Sequence, residues 1–416
     1  MTEKFTNVRS MLDGLTRAMN LINPEVENHH QQTAYFAFFI GRAMGFEEEM
    51  LHQTIYAALL HDVGSIAMEQ PASIHDIEAE AARYAAIGAD MLADLPDFEE
   101  TARIIRFCQT DYSDMAPAMK EHPEWEPYFR IAGAIHVADA ASLLLKSGQP
   151  VLNQVEGICG LMEQGKGKNF LPEAVEGLLS LRKLEVIWLD ALNNPSFLGF
   201  FTGIMHEIGL ERVASLTRLM SRIIDYRSSF TAMHSAGVAA SAKAIARLAG
   251  MNETDCLKME IAGNLHDVGK LVVPASILVK PGKLTGEEFN IIKEHPYYTR
   301  WVLMNMDGFE QIANWAAFHH EKLTGDGYPF HLGAADLDLG SRIMAVADIF
   351  SAIAEERPYR KGMTREQAEG VLRDNVARGA ICGDVVELLF AHYSEVDEQR
   401  DAASRREGQR YFQSVQ

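Results

Sequence analysis

The four residues HDVG occur twice in this chain, at residues 61–64 and 266–269, and the 205-position offset holds across the neighbouring segments. Carried backwards it pairs His29 with His234 and Gly45 with Gly250, in stretches that each read as a helix ending at glycine. Further on the offset becomes 211, pairing Tyr84 with His295 and residues 107–109 (FCQ) with residues 318–320 (FHH). It then becomes 209, pairing Asp139 with Asp348. A repeat on this scale means two copies of one folding unit, each about half of the 416 residues. The junction falls near residue 205. Residues 1–205 and 206–395 are the two expected domains, and residues 396–416 form a polar, charged tail with little to bury.

Apolar residues recur at helical spacing in residues 33–41, 238–248 and 341–354, while strand-like alternation is scarce, so the expected fold class is all-α. With 47% hydrophobic and 23% charged residues, each copy can bury a core. The longest apolar runs are far shorter than the roughly 20 residues of a membrane span. No basic and apolar leader opens the sequence, so a cytoplasmic protein is expected. Cys108, Cys159, Cys256 and Cys382 lie far apart, with no CxxC pair to suggest a thiolate metal site. The formal net charge of −20 opposes binding to long nucleic acid but leaves room for a small phosphorylated substrate held locally.

The C-terminal copy gathers seven potential metal ligands: His234, His266, Asp267, His295, His319, His320 and Asp348. Imidazole mixed with carboxylate suits iron, manganese, nickel or zinc better than magnesium or calcium. One carboxylate of an adjacent His-Asp pair can bridge two ions, the arrangement that drives in-line displacement at phosphorus. Lys270, one helical turn beyond His266, is placed to hold a phosphate oxygen or to assist the leaving group. Residues 319–329 (HHEKLTGDGYP) break the helical pattern and form a loop beside these ligands. Residues 356–362 (ERPYRKG) supply Arg357, Arg360 and Lys361, suited to phosphate or guanine recognition.

The ordered set HDVGK, EHP, HHE, GYP, VAD and RPYR resembles the HD-GYP family of HD-domain phosphohydrolases, over roughly residues 226–391. The resemblance implies a helical bundle with a bimetallic or trimetallic site and hydrolysis of cyclic di-GMP or 3′,3′-cyclic GMP-AMP. It makes the seven residues above the metal ligands, with Asp267 and Lys270 catalytic. It also places Lys270, Arg357, Arg360 and Tyr328 against the substrate. Where three-metal members carry a glutamate, this chain has Phe230, so two metals are expected. Thr324, Thr299 and Ser351 are further departures, bearing on loop shape and substrate preference.

The N-terminal copy resembles an HD domain reduced to His29, His61, Asp62 and Asp139, enough for one ion or for none. Tyr84, Cys108, Gln109 and Ser65 stand where the other copy has ligands and a lysine. The expected function is a metal-dependent cyclic-dinucleotide phosphodiesterase. Its alternatives are a non-catalytic sensor or scaffold, or a phosphohydrolase acting on other nucleotides. Regulation would then come through the N-terminal copy, a homodimer or a protein partner.

Overall fold

The computed structural model describes residues 4–21, 28–67, 74–93, 98–193, 207–226, 233–280, 282–355 and 361–414. It is helical throughout except for one two-stranded antiparallel sheet, β1 (Lys4–Asn7) against β2 (Glu207–Gly209). No helix among the described residues is long and apolar enough to cross a membrane. The four cysteines are buried free thiols.

The duplication is visible element by element. The helix His29–Ala43 corresponds to His234–Leu248, and Glu48–Leu60 to Glu253–Leu265. The short 3-10 turns Val63–Ala67 and Val268–Val272 keep the same 205-residue spacing. Gly45 and Gly250, after the first helix of each copy, have φ of 75° and 80°, a left-handed conformation that other residues adopt only at a cost.

The repeated HDVG glycine has its own reason. A methyl group on Gly269 would lie 2.6 Å from the Thr299 nitrogen and closer still to the His295 carbonyl. On Gly64 it would meet the Gly88 nitrogen at 2.6 Å and crowd the Tyr84 carbonyl. In both copies a helix backbone lies directly against the turn, and only glycine admits it. The contact persists in the N-terminal copy although Tyr84 replaces the histidine.

The chain divides into two compact units, but not at a single point. Residues 28–66 and 74–193 make one, whereas residues 4–21 join residues 207–414 in the other. Strand β1 pairs Lys4 with Gly209 and Asn7 with Glu207. The helix Val8–Asn20 follows, capped by the Asn7 side chain. Ser10 Oγ accepts from the Asp307 nitrogen at 2.7 Å, and Arg17 lies over the Trp301 ring. The sequence reading assigned all of residues 1–205 to the N-terminal domain, and residues 4–21 depart from it.

The tail departs as well. Residues 393–414 form one long helix, on which Val396, Arg400 and Ser404 are buried. These positions share a face at four-residue spacing, and Ser404 donates to the Met233 carbonyl at 2.9 Å. Only Val396 of the three is apolar, so hydropathy gives little sign of the stripe.

Candidate metal centre and active site

Helix ends bring the seven C-terminal candidates together. His234 opens its helix, His266 closes the helix Glu253–Leu265, and His295 opens His295–Leu303. His319 and His320 lie on a 3-10 turn, while Asp348 projects from the middle of the helix Leu339–Ala354. At a helix end a side chain can reach past its own backbone toward a point shared by several helices. His234, His266, Asp267, His295, His319 and Asp348 are all buried.

Their ligand atoms converge in three overlapping groups, His234 with His266 and Asp348, His266 with Asp267 and His319, and His295 with His319 and His320. The middle group shares His266 with one outer group and His319 with the other. Two buried atoms facing this space, His266 Nε2 and Asp267 Oδ1, have no hydrogen-bond partner. Unanswered polarity this deep is costly, and a bound cation would answer both atoms, so the donor set fits a metal.

Local backbone geometry prepares the rings for that role. His266, His295 and His319 each place Nδ1 against the carbonyl three residues earlier, at 2.8, 2.7 and 2.7 Å. A carbonyl can only accept, so each Nδ1 carries a hydrogen and each Nε2 is turned toward the cluster. Burial holds His295 at a pKa of about 3 and His319 at about 4, and pushes His320 down as well. These rings are neutral and ligand-ready.

His234 behaves differently. Burial presses its pKa down, but Asp348 at 3.1 Å and Glu355 at 3.6 Å overcome this and raise it to about 9. Against the opposing effect of burial, the His266 charge leads in holding Asp267 well below the usual carboxylate range, and the His234 hydrogen bond does the same for Asp348.

Lys270 donates to Asp267 Oδ2 at 2.5 Å, so it stands at the centre of the cluster. Tyr328 lies over His320, with ring centroids 4.8 Å apart. Arg357, Arg360 and Phe230 lie outside the described residues.

Two functional neighbours escaped the sequence reading. Glu321, the third letter of HHE, is buried and accepts from the Phe330 and Leu332 nitrogens at 2.7 and 2.9 Å, pinning the GYP loop. Gly327 lets this loop fold close, since a methyl there would lie 2.5 Å from Glu321 Cα. Thr299 accepts from Gly269 N at 3.1 Å and donates to the His266 carbonyl at 2.9 Å. The residue read as a departure thus fastens the HD turn to the His295 helix.

In the N-terminal copy, His29, His61 and Asp139 are buried together within ligand distance of one another. His29 Nε2 is 2.9 Å and His61 Nε2 3.2 Å from Asp139, while Asp62 lies 3.2 Å from His61. Gln109 donates to the other Asp139 oxygen at 2.9 Å. An amide therefore occupies the side of Asp139 where the C-terminal copy has its double histidine. His61 repeats the tautomer device, with Nδ1 2.7 Å from the Ala58 carbonyl.

Comparison with known proteins agrees with this geometry. Residues 218–381 match the family model described as an HD domain. The chain is 28% identical to the 3′3′-cGAMP-specific phosphodiesterase 1 of Vibrio cholerae, over 92% of this chain and 91% of that protein. Residues 218–381 of the chain thus carry an HD domain. A further relative, the cyclic di-GMP phosphodiesterase response regulator RpfG of Xanthomonas campestris pv. campestris, is 34% identical over 49% of this chain and 55% of its own length. The cyclic di-GMP phosphodiesterase PA4108 of Pseudomonas aeruginosa is 38% identical over 33% of this chain and 34% of its own. The crystal structure of the Vibrio cholerae cyclic GMP-AMP phosphodiesterase V-cGAP3 superposes with a TM-score of 0.58 and 23% identity, covering 94% of this chain and 98% of that one. That likeness establishes the shared fold.

Proposed function

We propose that the chain is a metal-dependent phosphodiesterase that opens a cyclic dinucleotide to a linear product, with its active site in the C-terminal unit. The observation that carries this reading is the convergence of seven candidate ligands, two of whose buried atoms have no hydrogen-bond partner. In this reading His234, His266, Asp267 and Asp348 hold one divalent transition ion, and Asp267, His295, His319 and His320 hold a second. Iron or manganese suits this donor set best, with nickel or zinc also compatible. When bound, such ions lower the pKa of a water and neutralise charge building on phosphoryl oxygens.

The chain's own residues orient and shield. Asp267 holds Lys270 by a 2.5 Å hydrogen bond, leaving the remaining ammonium protons free to donate to a phosphate oxygen or the leaving hydroxyl. Tyr328, its ring tilted against His320 and held by the Glu321-pinned loop, closes one side of the site. Arg357 and Arg360 are the proposed nucleotide contacts. The −20 charge favours a small substrate over long nucleic acid. A cytoplasmic setting matches a substrate of this kind.

The similarity to the cGAMP-specific relative runs through both copies. That favours 3′,3′-cyclic GMP-AMP over cyclic di-GMP as the preferred substrate. The test is hydrolysis of both compounds side by side, with protein reconstituted in manganese or ferrous iron and linear products followed by chromatography. Cleavage of either, faster for the mixed dinucleotide, is the expected result. Failure to cut both while metal is stoichiometrically bound would refute the proposal in favour of a sensor or a general phosphohydrolase.

A further inference from the structure

Buried polarity is left unanswered at a second place in the C-terminal unit, away from the metal ligands. Asn264 lies on the helix Glu253–Leu265, is 3% exposed, and its side-chain nitrogen has no hydrogen-bond partner. The duplicate copy shows what a purely structural role requires there, because the 205-residue register places the fully buried Leu59 at this position. An amide donor closed off without a partner destabilises the fold. Asn264 is therefore a poor core residue and a ready donor for something that binds.

It lines a cavity of about 370 Å³ walled by the helices Leu210–Tyr226, His234–Leu248 and Tyr393–Ser414. Five alanines in the lining leave room in it. Around it stand Arg218, Arg222, Lys243, Arg247 and Arg406 against the carboxylates of Glu260 and Glu407. Glu260 engages Lys243 at 2.5 Å and Glu407 engages Arg222 at 2.9 Å, so cations outnumber carboxylates in a chain of net charge −20. A concave space of this size with a cationic rim and Asn264 in its lining suits a small anion with a polar body better than a flat lipid surface.

We propose that this cavity is a second ligand site, for a small phosphorylated molecule of mononucleotide size. Its phosphate meets the arginine rim, and a hydrogen-bond acceptor on its body faces Asn264. The walls include the helix that starts at His234, and Asn264 precedes His266 by two residues, so a ligand here braces two helices that carry candidate metal ligands. This site stands whether or not the metal cluster hydrolyses a dinucleotide.

The test uses the full chain stripped of metal and titrated calorimetrically with GMP and with inorganic pyrophosphate. Wild type should bind both. Arg218→Ser combined with Arg406→Ser should weaken both by about tenfold or more, the loss of charge-assisted hydrogen bonds. Asn264→Leu, which installs the residue of the other copy, should weaken GMP by about tenfold, leave pyrophosphate unchanged and raise the thermal midpoint. Asp267→Asn should bind both probes as wild type does. Absence of binding to wild type, equal binding by the double variant, or loss of binding in Asp267→Asn would each overturn the proposal.

Discussion

A histidine whose Nδ1 meets a carbonyl three residues back has its tautomer fixed by the backbone, before any metal arrives. His266, His295 and His319 all use this device, which makes their Nε2 atoms candidate ligands of settled orientation. The pKa consequences oppose one another. His295 and His319, held at about 3 and about 4, refuse protons that the unfolded chain takes up below its ordinary 6.5, so metal-free stability falls as pH drops from 6.5 toward 4. The depressed carboxylates of Asp267 and Asp348 add to that acid loss. His234, held at about 9, keeps a proton that the unfolded chain gives up, so its contribution is full below 6.5 and gone above 9. Urea midpoints of metal-free protein should therefore peak near neutral pH and fall on both sides, and a flat profile would contradict this charge arrangement. Asp267→Ala should leave the fold intact and cut hydrolysis by at least about a thousandfold, because in the proposed mechanism Asp267 would help to hold the metal and also orients Lys270. Unchanged turnover would remove Asp267 from the mechanism. Thr299→Val keeps the volume but loses two buried hydrogen bonds, at a cost of about 1–3 kcal/mol in chemical denaturation.

At the level of elements, the two copies show which parts of the sequence carry architecture and which carry chemistry. Gly64 and Gly269 keep the same close approach to a helix backbone, although one copy has exchanged histidine for tyrosine on that helix. The helix register and the residues that cluster in the C-terminal unit were legible because both are local patterns: glycine-closed helices, HDVG, and histidines at helix ends. Thr299 and Glu321 were not legible as fasteners, since a threonine or glutamate takes its meaning from a backbone group brought close only by folding. Glu321 offers the sharpest test. Its two carboxylate oxygens accept from Phe330 and Leu332, whereas the amide of Glu321→Gln offers one oxygen, so the loop loses a clamp. Hydrolysis should fall about 10- to 100-fold with metal content unchanged. Loss of metal from this variant would instead place Glu321 in support of the metal ligands themselves.

Whole-molecule organisation is where sequence and structure part most, and residues 4–21 are the reason. A four-residue strand pairing with three residues some two hundred positions away has no periodicity to announce it. The apolar face of Val8–Asn20 reads equally well against either copy. In the structure that face, with buried Met11, Leu12 and Leu15, belongs to the C-terminal unit. Gly14 allows the helix to come down onto Met306, whose side chain leaves no space for a methyl there. Burying each large apolar side chain is worth about 1.5–3 kcal/mol, comparable in total with the stability of an ordinary domain. A chain beginning at residue 207 carries every candidate metal ligand of the C-terminal unit and still lacks part of that unit's core. It should be poorly soluble or melt far below the full-length protein, and adding residues 1–21 at its N-terminus through a flexible linker should restore much of the loss. Scanning calorimetry of the two forms decides the matter. If the chain from residue 207 melts as the full chain does, the N-terminal strand and helix are ornament to the C-terminal unit, and its fold is self-sufficient.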